Sequence, residues 1–172
     1  TVYTRNTILA TITAEEPLDV CNTGDTGSVW YKFTAPSTGV YKLNADGSDY
    51  SPNLTVVRQV SSTSRTPVVC GETNSNDSYE SQLAFNATAG YTYLFEVSDA
   101  VGGGALSLKV EKPTCPTGEL CGAVVGGDGR VVRYPRMNII GSNSYGYGYG
   151  DYSGFIDGYL YYGGPGNYKI HT

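Results

Sequence analysis

Histidine is almost missing from this chain: His171 is the single one in 172 residues. It stands beside the end of the sequence, where fraying is expected, and makes a poor general base. Ser-His-Asp and Cys-His catalysis and histidine-based metal sites are therefore not expected. Charge is scarce too. Lys and Arg number 11 against 16 Asp and Glu, for a net charge of −5. No basic block is present to neutralise a phosphate backbone, and no Lys or Arg falls between Met137 and Lys169, so nucleic acid is not an expected partner. Neither end carries an apolar run long enough to span a bilayer, and no Met opens the sequence; it reads as a mature secreted product, extracellular or at the cell surface. For catalysis only carboxylate pairs are left. Glu15, Glu16, Asp46, Asp49, Glu72, Asp77 and Asp99 lie in polar turns, where acids are ordinarily solvated, and no enzymatic activity is expected.

Cysteine is present but not in the C-x-x-C pairs that structural zinc prefers. Cys21, Cys70, Cys115 and Cys121 make an even count in a Ser-, Thr-, Asn- and Gly-rich chain, which favours disulfides and an oxidising compartment. Cys115 and Cys121 flank a turn-like Pro116-Thr117-Gly118 and read as a local loop. Cys21 with Cys70 would then close a long one, worth about 4 kcal/mol on the loop-entropy account. Three N-x-S/T triplets, at Asn53, Asn76 and Asn86, are candidate glycan acceptors.

Helical periodicity is sustained nowhere, whereas alternation with period two recurs in runs rich in β-branched and aromatic residues. Strands are expected near 7–13, 28–35, 39–45, 53–60, 81–86, 91–97 and 105–111, separated by Gly, Pro, Asn and Asp. Seven short strands at this spacing predict an all-β antiparallel sandwich. In the second strand Val29, Tyr31 and Phe33 share one face, and the lone Trp30 lies with Lys32 on the other, as a rim residue or as a sugar-stacking platform. Tyr91, Tyr93 and Phe95 share a face opposite Leu94.

The run from Ser28 to Tyr41, SVWYKFTAPSTGVY, resembles the opening of the bacterial pre-peptidase C-terminal domain. Residues 53–57, NLTVV, resemble that family's central strand; residues 83–93, LAFNATAGYTY, resemble its hairpin; and residues 106–110, LSLKV, resemble its closing strand. The resemblance covers roughly residues 21–112. It implies a jelly-roll-like β-sandwich carried by secreted proteins, often an accessory module without catalysis; some relatives bind calcium or polymeric substrates. Where relatives often show Cys-Asn-Asp-Asp, this chain reads Cys70-Gly71-Glu72-Thr73-Asn74-Ser75-Asn76-Asp77. No cofactor is expected, calcium on Asp46, Asp49, Asn76 or Asp77 being the minor alternative.

Three parts are thus expected: an extended N-terminal segment over 1–20, the sandwich over 21–112, and a β-rich Tyr/Gly tail over 113–172. The tail opens with the cysteine loop and an Asp128-Gly129 hairpin turn. It then alternates Tyr145, Tyr147 and Tyr149 with glycine and continues through Tyr152, Phe155, Tyr159, Tyr161 and Tyr162. As a strand the tract puts tyrosines on one face and leaves a flat glycine face against which another backbone can lie. Tyrosine suits partly wet interfaces, so this ribbon is expected to bind other copies of the chain. The N-terminal run holding Tyr3 and Ile8 is a candidate donor strand for a neighbour's sheet edge. The leading expectation is a homo-oligomeric subunit of a helical or linear filament. The alternative is a carbohydrate- or polymer-binding module stacking sugar on Trp30.

Overall fold

The computed structural model describes residues 1–12, 25–71, 81–99, 102–115, 119–141, 144–160 and 169–171. These residues form strands and no helix. The strands are β1 (Val2–Asn6), β2 (Gly27–Thr34), β3 (Gly39–Asn44), β4 (Asn53–Gln59), β5 (Arg65–Cys70), β6 (Gln82–Ala87), β7 (Thr92–Asp99), β8 (Ala105–Glu111), β9 (Glu119–Ala123), β10 (Arg136–Gly141), β11 (Ser144–Gly150), β12 (Phe155–Leu160) and β13 (Lys169–His171). The first eight make two four-stranded sheets ordered β1-β8-β3-β6 and β2-β7-β4-β5. Each sheet takes antiparallel partners from opposite ends of the series, β1 with β8, β2 with β7, β3 with β6 and β4 with β5. That is the winding of a jelly roll, a long antiparallel ribbon folded over into two layers.

The core lies between those layers. Leu43, Leu54, Val56, Leu83, Phe85, Phe95 and Leu108 are fully buried. Phe33 stacks on Phe95 at 5.5 Å between ring centroids, and Phe85 meets Phe95 edge-on at 5.7 Å, offset arrangements that aromatic quadrupoles favour. Val29, Tyr31 and Phe33 face this core as their alternation predicts. Tyr93 and Phe95 do so too, but Tyr91 precedes the strand, is exposed, and lies under the Arg58 guanidinium at 5.3 Å.

Two strands depart from expectation. The first strand is Val2–Asn6, not 7–13, because the chain turns at Ile8 and Leu9, where Asn6 Oδ1 accepts from the Ile8 N–H at 3.0 Å. Its register against β8 places Tyr3 where its ring packs on Tyr31 at 4.8 Å. The eighth strand, β5, lies outside the strands expected and contains Pro67. At the sheet edge a residue without an N–H is tolerated, and the register slips beside it between Val56 and Val57.

The remaining strands form a third antiparallel sheet, ordered β13-β10-β11-β12-β9. Asp128-Gly129 makes the expected turn between Val125 and Val131, with Gly129 at φ 81°, a left-handed conformation cheap only for glycine. That turn docks on the sandwich: the Cys70 N–H donates to Gly129 O and the Val131 N–H to Cys70 O, both at 2.9 Å. Val131 itself is buried in the sandwich core.

Candidate functional site

Pairing in the third sheet sorts its residues onto two faces. Across β10, β11 and β12 the register aligns Arg136 with Tyr149 and Asp157 in one row, and Asn138 with Tyr147 in the next; Ile140 stands opposite Tyr145. Directly opposed residues point the same way, so these rows form a single face. It is solvent-exposed: Ile140 is 52% accessible, Tyr145 56%, Tyr147 38% and Tyr149 61%. Arg136 lies 6.0 Å from the centroid of Tyr149, and Tyr147 meets Tyr149 edge-on at 5.6 Å with planes 71° apart.

The other face carries Met137, Ile139, Gly146, Gly148, Ile156 and Gly158, all buried. Glycine here permits a close approach, but the backbone that approaches is the chain's own. A Cβ on Gly148 would lie 2.2 Å from Asp157 O and 2.8 Å from the Gly158 Cα. The flat face expected to receive a neighbouring copy is instead covered within the chain, where Gly146 and Gly148 are both buried.

Other expected interface residues are distributed differently. Tyr3 is spent inside the chain, on Tyr31, and β1 adds to its own sheet beside β8. Ile8 is exposed at the turn that follows. Tyr152 sits in the turn after β11 and donates its hydroxyl to Asp46 Oδ2 at 3.1 Å, binding the third sheet to the sandwich. Phe155 is partly buried at the start of β12, and Tyr159 lies within that strand. Tyr161, Tyr162, Cys21, Asn76 and Asp77 lie outside the described residues.

The turn holding Tyr152 is a fastener that the sequence did not single out. Asp151 accepts from the Ser153 N–H at 2.9 Å and pairs with Lys42 Nζ at 2.7 Å, while the Ala84 N–H donates to Ser153 O at 2.8 Å. Lys42 also lies 5.7 Å from the Tyr152 ring. Burial pushes the Tyr152 phenol up from 10.0 to about 12, and the Asp46 carboxylate adds to the effect. The only signal in the sequence is the short polar run Asp151-Tyr152-Ser153-Gly154, read there as part of the ribbon; its Asp is an Asx-turn former.

Trp30 is partly buried on the outer face of β2, opposite Glu96, and its indole N–H donates to Ser28 Oγ at 3.2 Å. Asp46 accepts from Gln82 as well as Tyr152, and Asp49 Oδ1 accepts from the Ala105 N–H at 2.7 Å. Both acids line an open groove of about 440 Å³ with Tyr50, Ser51, Ser81 and Tyr152. Among the described residues, no three Asp, Glu, His or Cys side chains gather as a metal site. Asn53 donates through Nδ2 to Asp25 at 2.9 Å, and Asn86, exposed in β6, donates through Nδ2 to Ala123 O at the longer distance of 3.5 Å. Cys115 and Cys121 are joined, as expected, and Cys70 is also disulfide-bonded. No helix of the described residues is long and apolar enough to cross a membrane.

Comparison with protein-family models, with curated proteins and with solved structures found no match. The resemblance of residues 21–112 to the pre-peptidase C-terminal domain thus rests on the motif residues quoted above.

Proposed function

We propose that this chain is a secreted, non-catalytic structural subunit that self-assembles into an extracellular or cell-surface filament, and that the tyrosine face of its third sheet is a contact surface. The observation that carries the reading is the row Tyr145, Tyr147 and Tyr149, exposed beside Ile140 on a sheet whose opposite face is buried. Contiguous exposed apolar and aromatic surface of this kind marks interaction sites. The Cys115–Cys121 disulfide is in keeping with an oxidising compartment, and exposed Asn86 is the described sequon best placed to carry a glycan. Sedimentation and negative-stain microscopy across a concentration series test the proposal. Oligomers should grow with concentration and should be weakened by Tyr147→Ser with Tyr149→Ser; a strictly monomeric chain at every concentration would sink it.

The second reading is a polysaccharide-binding module. The groove of Asp46, Asp49, Tyr50 and Tyr152 favours it, because carboxylates and tyrosines together can hydrogen-bond and stack a sugar. Against a platform on the third sheet stand the tyrosine rings themselves, 71° apart, since a flat sugar chain stacks on coplanar rings. The partly buried Trp30, with its N–H engaged, is a poor platform as well. Polysaccharide pull-down that fails with Tyr50→Ala would favour this reading over assembly.

A further inference from the structure

The exposed face of the third sheet is charged asymmetrically. Arg136 lies on β10 and Asp157 on β12, in one row, with Tyr149 between them on β11. Successive strands are about 4.8 Å apart, so the two charged positions stand about 10 Å from each other on either side of the tyrosine row. Asp157 is exposed and, among the described residues, has no ion-pair partner. A basic position and an acidic position placed symmetrically about an aromatic line make a surface complementary to itself.

Resting on the assembly reading above, we infer that this face pairs with a second copy of the chain across a two-fold axis running along β11, with Arg136 of each copy opposite the partner's Asp157. Two sheets packed face to face can be related by a two-fold axis along the strands or across them. An axis across the strands sets β10 against β10 and offers neither charge an opposite. An axis along β11 exchanges β10 with β12 and keeps each row at its own height, so both charges are matched twice in one interface, as an isologous contact requires. The same axis sets the partner's Tyr147 over Tyr147, where ring edges and faces can interlock in the ~10 Å between packed sheets. The size of the face sets the strength. Five strands of three to seven residues cover about 440 Å² per copy. Two copies bury about 900 Å², just under the size of a stable specific interface, so the pairing is weak alone and needs concentration or repetition.

Charge exchange tests the axis. Sedimentation equilibrium would compare the intact chain with Arg136→Asp, with Asp157→Arg, with an equimolar mixture of those two variants, and with the double exchange in one chain. Each single variant creates two like-charge contacts and should weaken pairing by about ten-fold or more. The mixture and the double exchange restore opposite charges across the axis and should recover most of the loss. Recovery on mixing cannot come from folding, since each variant folds before it meets the other; circular dichroism of each checks that. Single variants that associate as the intact chain does, while Tyr147→Ser does not, would overturn the axis and leave the assembly reading in place. Loss without recovery on mixing would overturn the axis too. A chain that never associates would remove both, and polysaccharide captured through Tyr147 and Tyr149 would assign the face a different occupant.

Discussion

Replacing Tyr152 with Phe removes a hydroxyl and little else, and its effect should depend on pH. The phenol donates to Asp46, and its pKa is raised from 10.0 to about 12 in the folded chain by burial first and the Asp46 charge second. A raised folded value means that the bond stabilises fully below pH 10.0 and is lost as pH climbs towards about 12. The intact chain should therefore melt above Tyr152→Phe by an amount worth about 1 kcal/mol at neutral pH, with the gap closing across that alkaline window. A gap unchanged up to the top of the window would contradict the bond. Glycine offers a second test at the same scale. In Gly148→Ala the new methyl meets backbone, Asp157 O at 2.2 Å, whereas in Gly158→Ala it first meets the Met137 Cε at 2.5 Å, the movable end of a side chain. Chemical denaturation should find Gly148→Ala the more damaging, by about 1–3 kcal/mol against the intact chain.

At the level of elements, much of the sandwich was written in period-two alternation, and the failures have physical causes. β5 was not among the expected strands; its Pro67 would interrupt the ladder of a central strand but is tolerated at the edge where β5 lies. The first strand was misplaced because Thr7-Ile8-Leu9-Ala10-Thr11-Ile12-Thr13 has the higher β propensity. Tyr3 packing on Tyr31 decides the matter instead, and no local pattern contains it. The candidate site divides the same way: tyrosine alternation foretold an exposed face, but that the glycines admit β12 follows from a strand pairing no periodicity encodes. The fastener of Lys42 and Asp151 joins residues 109 positions apart. Its role can be measured by hydrogen exchange. Lys42→Ala should speed exchange of β11 and β12 amides while those of β7, at the centre of the sandwich, keep their protection. Equal acceleration of both would mean that the third sheet and the sandwich open as one unit.

For the molecule as a whole, the kind of contact constrains how an assembly can grow. A two-fold contact on the third sheet consumes the same surface on both copies and is closed once made. Growth into a filament then requires a second, separate contact, for which the turn bearing Ile8, 57% accessible, and Leu9, 91%, is the most exposed apolar site among the described residues. The weaker the second contact, the more strongly species built from complete pairs should dominate. Native mass spectrometry of early oligomers should accordingly show two, four and six copies above three and five. Ile8→Ser with Leu9→Ser should stop growth at the pair, because it removes the second contact and spares the first. Even spacing of all copy numbers, with that double variant still forming long species, would mean a head-to-tail contact that uses two different surfaces. In that case Arg136 and Asp157 would face unlike surroundings, and exchanging their charges would no longer cancel.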